Sequence, residues 1–423
     1  MPRLARVSSL TRNARAVMST GLGIAIAMVV MNVGSYGLTM LAARMLGPGE
    51  YGVLAASMNL LLVIGVGALG LQATGARRIS AHPESVAQIE AEILRISWRV
   101  AWGLGLSLLL LAPVVNRVLK LDNLALSFLI AVAAVPLTVA GGYFGILQGE
   151  RRWLPLGVVY MASGVPRLVI GVALMAWNPS AFIAFLAVVL GSLVPVALGW
   201  WILRGSRGAG EGSDSHSGAA VLREMVHNSQ ALLAFFALSN VDVIVARNTL
   251  DGHEAGLYAG GLILAKMLTF LPQFVVVVAF PAMATAGERT RALTRSLFAV
   301  SGLGLLCTGA VAIASPLVLS LVGGQEFAEI QGELWIFALL GTMLALLHLV
   351  VYSVLARQGQ RSSYVVWAAL AVLVAGGLTA ESVEGLLTWV MLVIGSLLTL
   401  LVAVSYYLVR KPVVTPVESD ALV

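Results

Sequence analysis

Apolar runs of about 20 residues, the length that crosses a bilayer core as one helix, recur along this chain and constrain its fold more than any other feature. The composition agrees, because 59% of the residues are hydrophobic, only 11% are charged and the mean hydropathy is +0.94. The sequence therefore predicts an all-α polytopic membrane protein with twelve transmembrane helices. The predicted spans are 16–43, 53–76, 96–119, 124–147, 154–177, 181–203, 225–250, 256–284, 294–322, 334–356, 364–379 and 385–409.

Basic residues are distributed unequally between the two sides of these spans, which predicts the orientation. With the N-terminus inside, twenty of the 26 Lys and Arg residues fall in cytoplasmic segments and two inside spans. The outer segments hold only Arg44, Arg117, Lys120 and Arg247. Cytoplasmic segments of membrane proteins are enriched in these cations, so both termini are expected in the cytoplasm. The net charge of +6 then reflects topology, and no nucleic-acid partner is expected.

A short motif occurs twice, about half the chain apart. The segment 43–55 returns at 246–259, each time as a polar turn between two apolar runs. With one inserted residue, the aligned pairs are Arg44 with Arg247, Leu46 with Leu250, Glu50 with Glu254, Gly52 with Gly256 and Ala55 with Ala259. A duplicated helix pair in a membrane is typical of two-lobed transporters, whose substrate site lies where the lobes meet.

A Gly/Ser-rich stretch at 204–218 divides the chain after the sixth predicted span. Such a composition buries no core and behaves as a flexible tether. The predicted organisation is an N-terminal lobe (1–203), a cytoplasmic linker (204–222), a C-terminal lobe (223–410) and a cytoplasmic tail (411–423). Because six is even, the two six-helix lobes enter the membrane in the same orientation, as parallel repeats around a central cavity.

Six polar residues lie well inside predicted spans and are candidates for the substrate cavity: Arg167, Lys266, Asp242, Asn32, Gln273 and His348. A mid-helix Arg or Lys costs about 2.5–3.5 kcal/mol on insertion scales, so it should face protein or water and have a partner. Arg167 has no acid in its own span, and we predict that it contacts a substrate phosphate, which guanidinium binds bidentately. Asp242 and Lys266 lie at similar depth in neighbouring spans, where an ion pair can form.

Each of these residues has a structural alternative. Asp242 and Lys266 can form a clasp between adjacent helices that never meets substrate. His348 can relay protons, but hydrogen-bonded packing is the commoner role of such a histidine. Asn32 and Gln273 can hold helices together as readily as they line a cavity.

The two repeated turns carry one arginine and one glutamate each, Arg44 with Glu50 and Arg247 with Glu254. From this symmetry, the four residues are candidates for gates that close the outer side of the transporter. Turn chemistry explains the same composition, because Gly, Pro and Asp-Gly favour tight reversals.

The two hairpins also resemble a known family. The matching residues are Arg44-Met45-Leu46-Gly47-Pro48-Gly49-Glu50-Tyr51-Gly52, and later Asn240-Val241-Asp242, Gly256-Leu257-Tyr258, Lys266 and Phe280-Pro281. They are similar to the polysaccharide-transporter branch of the multidrug/oligosaccharidyl-lipid/polysaccharide exporter superfamily.

The resemblance implies a Wzx-type flippase in the bacterial cytoplasmic membrane. Such a protein moves a lipid-linked oligosaccharide, carried on undecaprenyl diphosphate, by alternating access for cell-surface polysaccharide biosynthesis. It implies that the sugars and diphosphate enter the cavity while the lipid tail stays among the membrane lipids. It also implies a polysaccharide polymerase and glycosyltransferases as partner enzymes.

Two other functions fit parts of the sequence. A cation-coupled multidrug exporter of the same superfamily would share the fold, although a cationic cavity disfavours organic-cation substrates. A membrane glycosyltransferase or polymerase would need a sizeable outer loop with catalytic acids, and every predicted outer loop is short. The chain also lacks a Walker lysine motif, zinc-type His/Glu spacing and a cysteine pair. We therefore expect a transporter and not an enzyme, with no cofactor and no metal.

Overall fold

The computed structural model describes residues 21–205, 218–269, 289–355 and 361–410. Within these ranges the chain is almost wholly helical and has no β-strand. The helices are α1 (Gly21–Ile64), α2 (Val66–Ala81), α3 (Val86–Leu110), α4 (Ala112–Val118), α5 (Leu124–Gly149), α6 (Trp153–Trp177), α7 (Ala181–Leu203), α8 (Gly218–Leu238), α9 (Val241–Thr249), α10 (Gly252–Thr269), α11 (Arg289–Ile313), α12 (Ser315–Val322), α13 (Leu334–Leu355), α14 (Arg361–Gly377) and α15 (Val383–Arg410). Short 3-10 helices, Pro83–Ser85 and Gly324–Glu333, precede α3 and α13.

Each of the twelve predicted spans contains helix in the described part of the chain. Nine helical stretches there are long and apolar enough to cross a membrane, and α14 contains a shorter apolar helix. The stretch Gly23–Ala81 holds spans one and two together, and α10 is the described part of span eight. The prediction of an all-α polytopic membrane protein is confirmed.

The predicted linker is shorter in the structure at its C-terminal end. Helix α8 begins at Gly218, so the last residues of the predicted 204–222 linker belong to a helix. Residues 206–217 of that linker, the predicted tail 411–423 and the cavity candidate Gln273 lie outside the described residues.

Spans one and two meet at a single non-helical residue. Gly47 interrupts the backbone of α1 with φ 70° and ψ 173°, and Pro48 follows it. Glycine adopts a positive φ without steric cost, while a proline removes a helical hydrogen bond. The turn between the two spans is therefore tighter than the 44–52 motif suggests, with Arg44 before the break and Glu50 after it.

Spans three and nine share a second interruption that the repeat motif does not include. Helix α3 gives way to α4 at Leu111, and α11 gives way to α12 at Ala314. Both α4 and α12 carry a proline in their first turn, Pro113 and Pro316, where the missing N–H leaves no hydrogen bond unmade. The third span of each lobe is thus built in the same way.

The N lobe (α1–α7) and the C lobe (α8–α15) share one large cluster of buried apolar side chains. A second cluster, around Leu71, Ile93 and Tyr143 of the N lobe, also includes Val221 and Met225 of α8. Helix α1 packs against α6 in its own lobe and against α10 in the other. We call the end of the bundle that carries 44–52 and 246–259 the turn end. The opposite end, with Arg77, Arg78, Arg151, Arg152 and Arg204, is the arginine-rich end.

Candidate functional site

The two repeated turns pack against each other at the turn end. A Cβ atom added to Gly52 would lie 3.1 Å from the Cα of Gly256, and one added to Gly256 would collide with the carbonyl of Pro48. Gly52 and Gly256 are equivalent positions of the repeat. The absence of side chains at both positions therefore lets the backbones of the two lobes come into contact.

Arg247 joins the C lobe to the N lobe beside this contact. Its side chain is buried and donates hydrogen bonds to the carbonyls of Leu119, at 3.4 Å, and Lys120. The side-chain amide of Asn248 donates to the Val118 carbonyl at 2.7 Å, and the Lys120 ammonium donates to the Asn248 carbonyl at 3.1 Å. The carbonyls at the C-terminus of α4 have no partners within their own helix, so Arg247 and Asn248 satisfy them.

A matching contact runs in the other direction. Phe327, in the segment after α12, packs edge-on against Tyr51 of the N lobe with ring centroids 6.2 Å apart. Its neighbour Glu326 lies beside Gly47. The end of the third span of each lobe therefore contacts the first hairpin of the other lobe, through polar groups in one case and mainly aromatic rings in the other.

The four gate candidates occupy different environments. Of these, only Arg247 makes a described hydrogen bond to the opposite lobe, and its partners are backbone carbonyls. Arg44 is exposed and has no hydrogen bond or ion pair with a described residue. Glu50 accepts a hydrogen bond from the backbone N–H of Ala181 in its own lobe, at 2.7 Å. Glu254 lies in the first turn of α10, and no ion pair joins it to Arg247.

Span seven is interrupted near its middle, a feature that the sequence analysis did not predict. Helix α8 ends at Leu238 and α9 begins at Val241, and the two residues between them, Ser239 and Asn240, are buried. We call these two residues the span-seven break. The Lys266 ammonium, on α10, donates to the Ser239 carbonyl and to Asn240 Oδ1, the latter at 2.7 Å.

Asp242 lies immediately after the break, in the first turn of α9, and is buried. Its carboxylate accepts hydrogen bonds from the Tyr258 hydroxyl at 3.2 Å and from the N–H of Val243 at 3.0 Å. Asp242 and Lys266 interact electrostatically, but their charged atoms form no ion pair within 4.0 Å. A carboxylate at this position is also favoured by the positive end of the α9 dipole.

His348 and Tyr36 extend this cluster. The His348 ring stacks on Phe235, with centroids 4.6 Å apart, and meets the edge of Phe236. Tyr36, on α1 of the N lobe, donates its hydroxyl to the Lys266 carbonyl at 3.1 Å. The surroundings of the break thus include both lobes, and His348 packs mainly against aromatic rings.

Arg167 and Asn32 lie in the N lobe, apart from these contacts. Arg167 is half-buried on α6, where its backbone and Cγ pack against Gly191 of α7. Its Nε is buried, and the side chain makes no hydrogen bond or ion pair with any described residue. Asn32, half-buried on α1, likewise has no hydrogen bond within the described ranges.

The lobes are also joined at the arginine-rich end. Glu224, near the start of α8, accepts hydrogen bonds from Arg77 Nη2 at 2.5 Å and from Arg78 Nε at 3.0 Å. Both arginines lie on α2, and span two therefore pairs with span seven through an ion pair. In the sequence, Arg77 and Arg78 stand out only as part of the excess of basic residues on one side, so no pairing with Glu224 was predicted.

Comparison with known proteins identifies the family and the fold. A model of the family described as "Polysaccharide biosynthesis protein" matches residues 20–286, more than half of the 423-residue chain. Comparison with curated protein sequences found no significant match. Among solved structures, an inward-facing multidrug resistance MATE family transporter of the MOP superfamily is similar, with a TM-score of 0.72 and 12% identity over 90% of this chain and 94% of that one.

Two further solved structures have the same fold. A MATE transporter in complex with MaL6 gives a TM-score of 0.67 at 12% identity, with 93% of this chain and 98% of that chain covered. A MOP superfamily transporter from Pyrococcus furiosus, described as having a binding pocket of reverse polarity, gives 0.64 at 14% identity, with 94% and 97% covered. The chain therefore belongs to the polysaccharide biosynthesis protein family and has the two-lobed, twelve-helix fold of the MOP superfamily.

Proposed function

We propose that this membrane transporter is a flippase that moves a lipid-linked oligosaccharide, carried on undecaprenyl diphosphate, across the bacterial cytoplasmic membrane. The proposal rests on Arg167, a cationic side chain in the middle of a span that makes no hydrogen bond or ion pair with a described residue. Bringing a guanidinium to this depth is costly, and the cost is offset when an anion is bound. A diphosphate supplies such an anion, because its oxygens accept the paired N–H donors of a guanidinium.

The direction of transport follows from the charge at the two ends. We assign the arginine-rich end to the cytoplasm, because basic residues concentrate on that side of membrane proteins. The oligosaccharide would enter there and leave through the turn end, while its lipid tail remains in the bilayer. Both termini are then cytoplasmic.

The contacts at the two ends supply the gates for alternating access. Opening the turn end requires Arg247 and Asn248 to leave the carbonyls of α4, and Gly52 to separate from Gly256. Opening the arginine-rich end requires Glu224 to leave Arg77 and Arg78. Both sets of contacts cross from one lobe to the other and are formed together in this structure, so rocking of the lobes would break one set while the other is kept.

The Pyrococcus furiosus transporter with this fold is described as having a binding pocket of reverse polarity that suggests a different function, so the fold alone does not select the substrate. A cationic pocket disfavours the organic cations that a multidrug exporter would carry, and it favours a phosphate-bearing lipid. Arg167 is the residue in this chain on which that distinction depends.

Surface-glycan export in the native host tests the proposal. The chromosomal gene is deleted and replaced by Arg167→Ala, by Arg167→Lys or by Arg95→Ala, a matched control whose exposed guanidinium pairs with Glu92. We expect Arg167→Ala to reduce export at least tenfold, Arg167→Lys to retain part of it, and Arg95→Ala to behave as wild type, all at equal membrane levels.

Three results would contradict the proposal. Normal export by Arg167→Ala would remove this residue from the substrate site. Efflux of organic cations by the wild-type protein without any glycan phenotype on deletion would favour the multidrug exporter, and glycan bond formation by the purified protein would make it an enzyme.

A further inference from the structure

The span-seven break brings together acceptors that an unbroken helix would not offer. The Ser239 carbonyl and the Asn240 Oδ1 atom lie around one position, where both accept hydrogen bonds from the Lys266 ammonium. In transporters, unwound backbone carbonyls and the C-terminal ends of half-helices are the groups that coordinate monovalent cations. The C-terminal end of α8 also carries the negative end of its helix dipole.

We propose that the span-seven break is a monovalent-cation site and that the Lys266 ammonium is its resident cation. An ammonium carries the same charge as Na⁺ or K⁺, and it is a compact point charge with three donors. Two of these donors reach the oxygens of the break. Asp242, two residues further along the chain, supplies the negative charge that a cation site inside a membrane requires.

The site lies where the two lobes meet, so its cation contributes to the contact between them. The Tyr36 hydroxyl of the N lobe bonds to the carbonyl of Lys266 itself, and α8, α9 and α10 of the C lobe meet at the break. Because the cation is covalently attached to α10, the site stays occupied when the surrounding ion composition changes. The protein therefore holds this joint between the lobes without an external Na⁺ or K⁺. This inference goes beyond the proposed function and does not depend on the identity of the substrate.

A plain structural clasp makes a different prediction. If the lysine only fills space and bonds to a carbonyl, every neutral replacement weakens the fold equally, whatever ions are present. If the oxygens form a cation site, removing the ammonium while leaving room creates a vacancy. Lys266 is half-buried, so the vacancy would not be sealed on every side by packed helices.

The experiment compares full-length purified variants in detergent by their melting temperature. Lys266→Ala leaves room at the oxygens, whereas Lys266→Met fills the same volume without charge. Each is melted in choline, Na⁺, K⁺ or methylammonium chloride at constant ionic strength. Lys120→Ala is the matched control, because the Lys120 ammonium also donates to a backbone carbonyl but lies exposed and far from the break.

We expect Lys266→Ala to melt below wild type in choline and to recover with one or more of the small cations. The recovery should begin near the Kd of the cation and then rise by roughly 2 °C for each tenfold increase in its concentration. Lys266→Met, Lys120→Ala and the wild type should show no cation-specific shift. Adding Asp242→Asn to Lys266→Ala should weaken the response at least tenfold in cation concentration.

The proposal is overturned if Lys266→Ala and Lys266→Met melt equally in every salt, or if the wild type itself responds to the small cations. Should Lys266→Ala fail to fold in choline, it is expressed and purified throughout in K⁺ or methylammonium. Recovery of folded protein only in a small cation supports the site, and failure in all of them overturns it. Because no glycan enters the assay, its outcome is separate from that of the flippase proposal.

Discussion

The mid-span cation and the repeat-motif arginine of one lobe differ in their bonding from those of the other, although the two lobes share one fold and one repeated motif. In the C lobe, Lys266 and Arg247 are both bonded to protein oxygens. In the N lobe, Arg167 and Arg44, the repeat partner of Arg247, have no hydrogen bond or ion pair with a described residue. Duplication has therefore preserved the helices but not the use of their charges. We interpret the C-lobe cations as structural and the N-lobe Arg167 as available to a ligand.

The sharpest test of this difference is neutralisation of the mid-span cation in each lobe. Lys266→Met leaves the Ser239 carbonyl and Asn240 Oδ1 without a donor, and buried unsatisfied polar groups cost about 1–3 kcal/mol each. We expect a loss of roughly 2–6 kcal/mol in the free energy of unfolding, the sum for these two groups. Arg167→Met removes a charge with no described partner and should leave stability unchanged or raise it. Denaturation of both proteins in detergent checks this, and equal losses would end the distinction between the lobes.

The repeat-related arginines at the turn end give a second comparison. Arg247→Ala removes the donors to the Leu119 and Lys120 carbonyls, and hydrogen bonds to a charged group contribute about 1.5–3 kcal/mol. The exposed Arg44 should cost less than about 0.5 kcal/mol when changed to alanine. We also expect Arg247→Ala to make a cysteine placed at Val118 more reactive toward membrane-impermeant thiol reagents added outside. Similar labelling in the Arg44→Ala background would show that Arg247 does not hold the lobes together.

The paired glycines test the contact itself, with a smaller expected effect. Gly256→Ala places a methyl group against the Pro48 carbonyl, and overpacking of this kind typically costs about 1–3 kcal/mol. Gly52→Ala is less crowded, since its nearest atom is 3.1 Å away, and should cost less. Gly49→Ala is the control, because nothing lies within 4 Å of the added Cβ. If thermal unfolding ranked the three variants in another order, the described packing of the two turns would be wrong.

Much of the fold was predictable from hydropathy alone. The bilayer requires long apolar helices, so the twelve runs and their approximate limits could be located without any structure. The turn at Gly47 was also visible, because a glycine followed by a proline cannot continue a helix. The matched breaks at Leu111 and Ala314 were missed, although each stands just before a proline, because the apolar runs continue through them.

The candidate site was less predictable, because its main partners are backbone atoms. The symmetry of the repeat suggested gates formed by Arg44 and Arg247 with Glu50 and Glu254. In the structure Arg247 instead bonds to backbone carbonyls near the end of another helix, and such partners leave no trace in the residue type. The span-seven break had one visible signal: Ser239, Asn240 and Asp242 interrupt an apolar run within four residues. Arg167 has no hydrogen bond or ion pair with a described residue, which agrees with the absence of an acidic residue from its own span. Its role in transport stays a prediction.

Binding of a short-chain prenyl diphosphate to the purified protein tests the central claim most directly. We expect the diphosphate to raise the melting temperature of the wild type as its concentration increases, and the corresponding prenyl alcohol to leave it unchanged. The shift should be lost in Arg167→Ala and kept in Arg95→Ala. An equal shift in wild type and Arg167→Ala, or an equal effect of the alcohol, would contradict the view that Arg167 is reserved for the diphosphate.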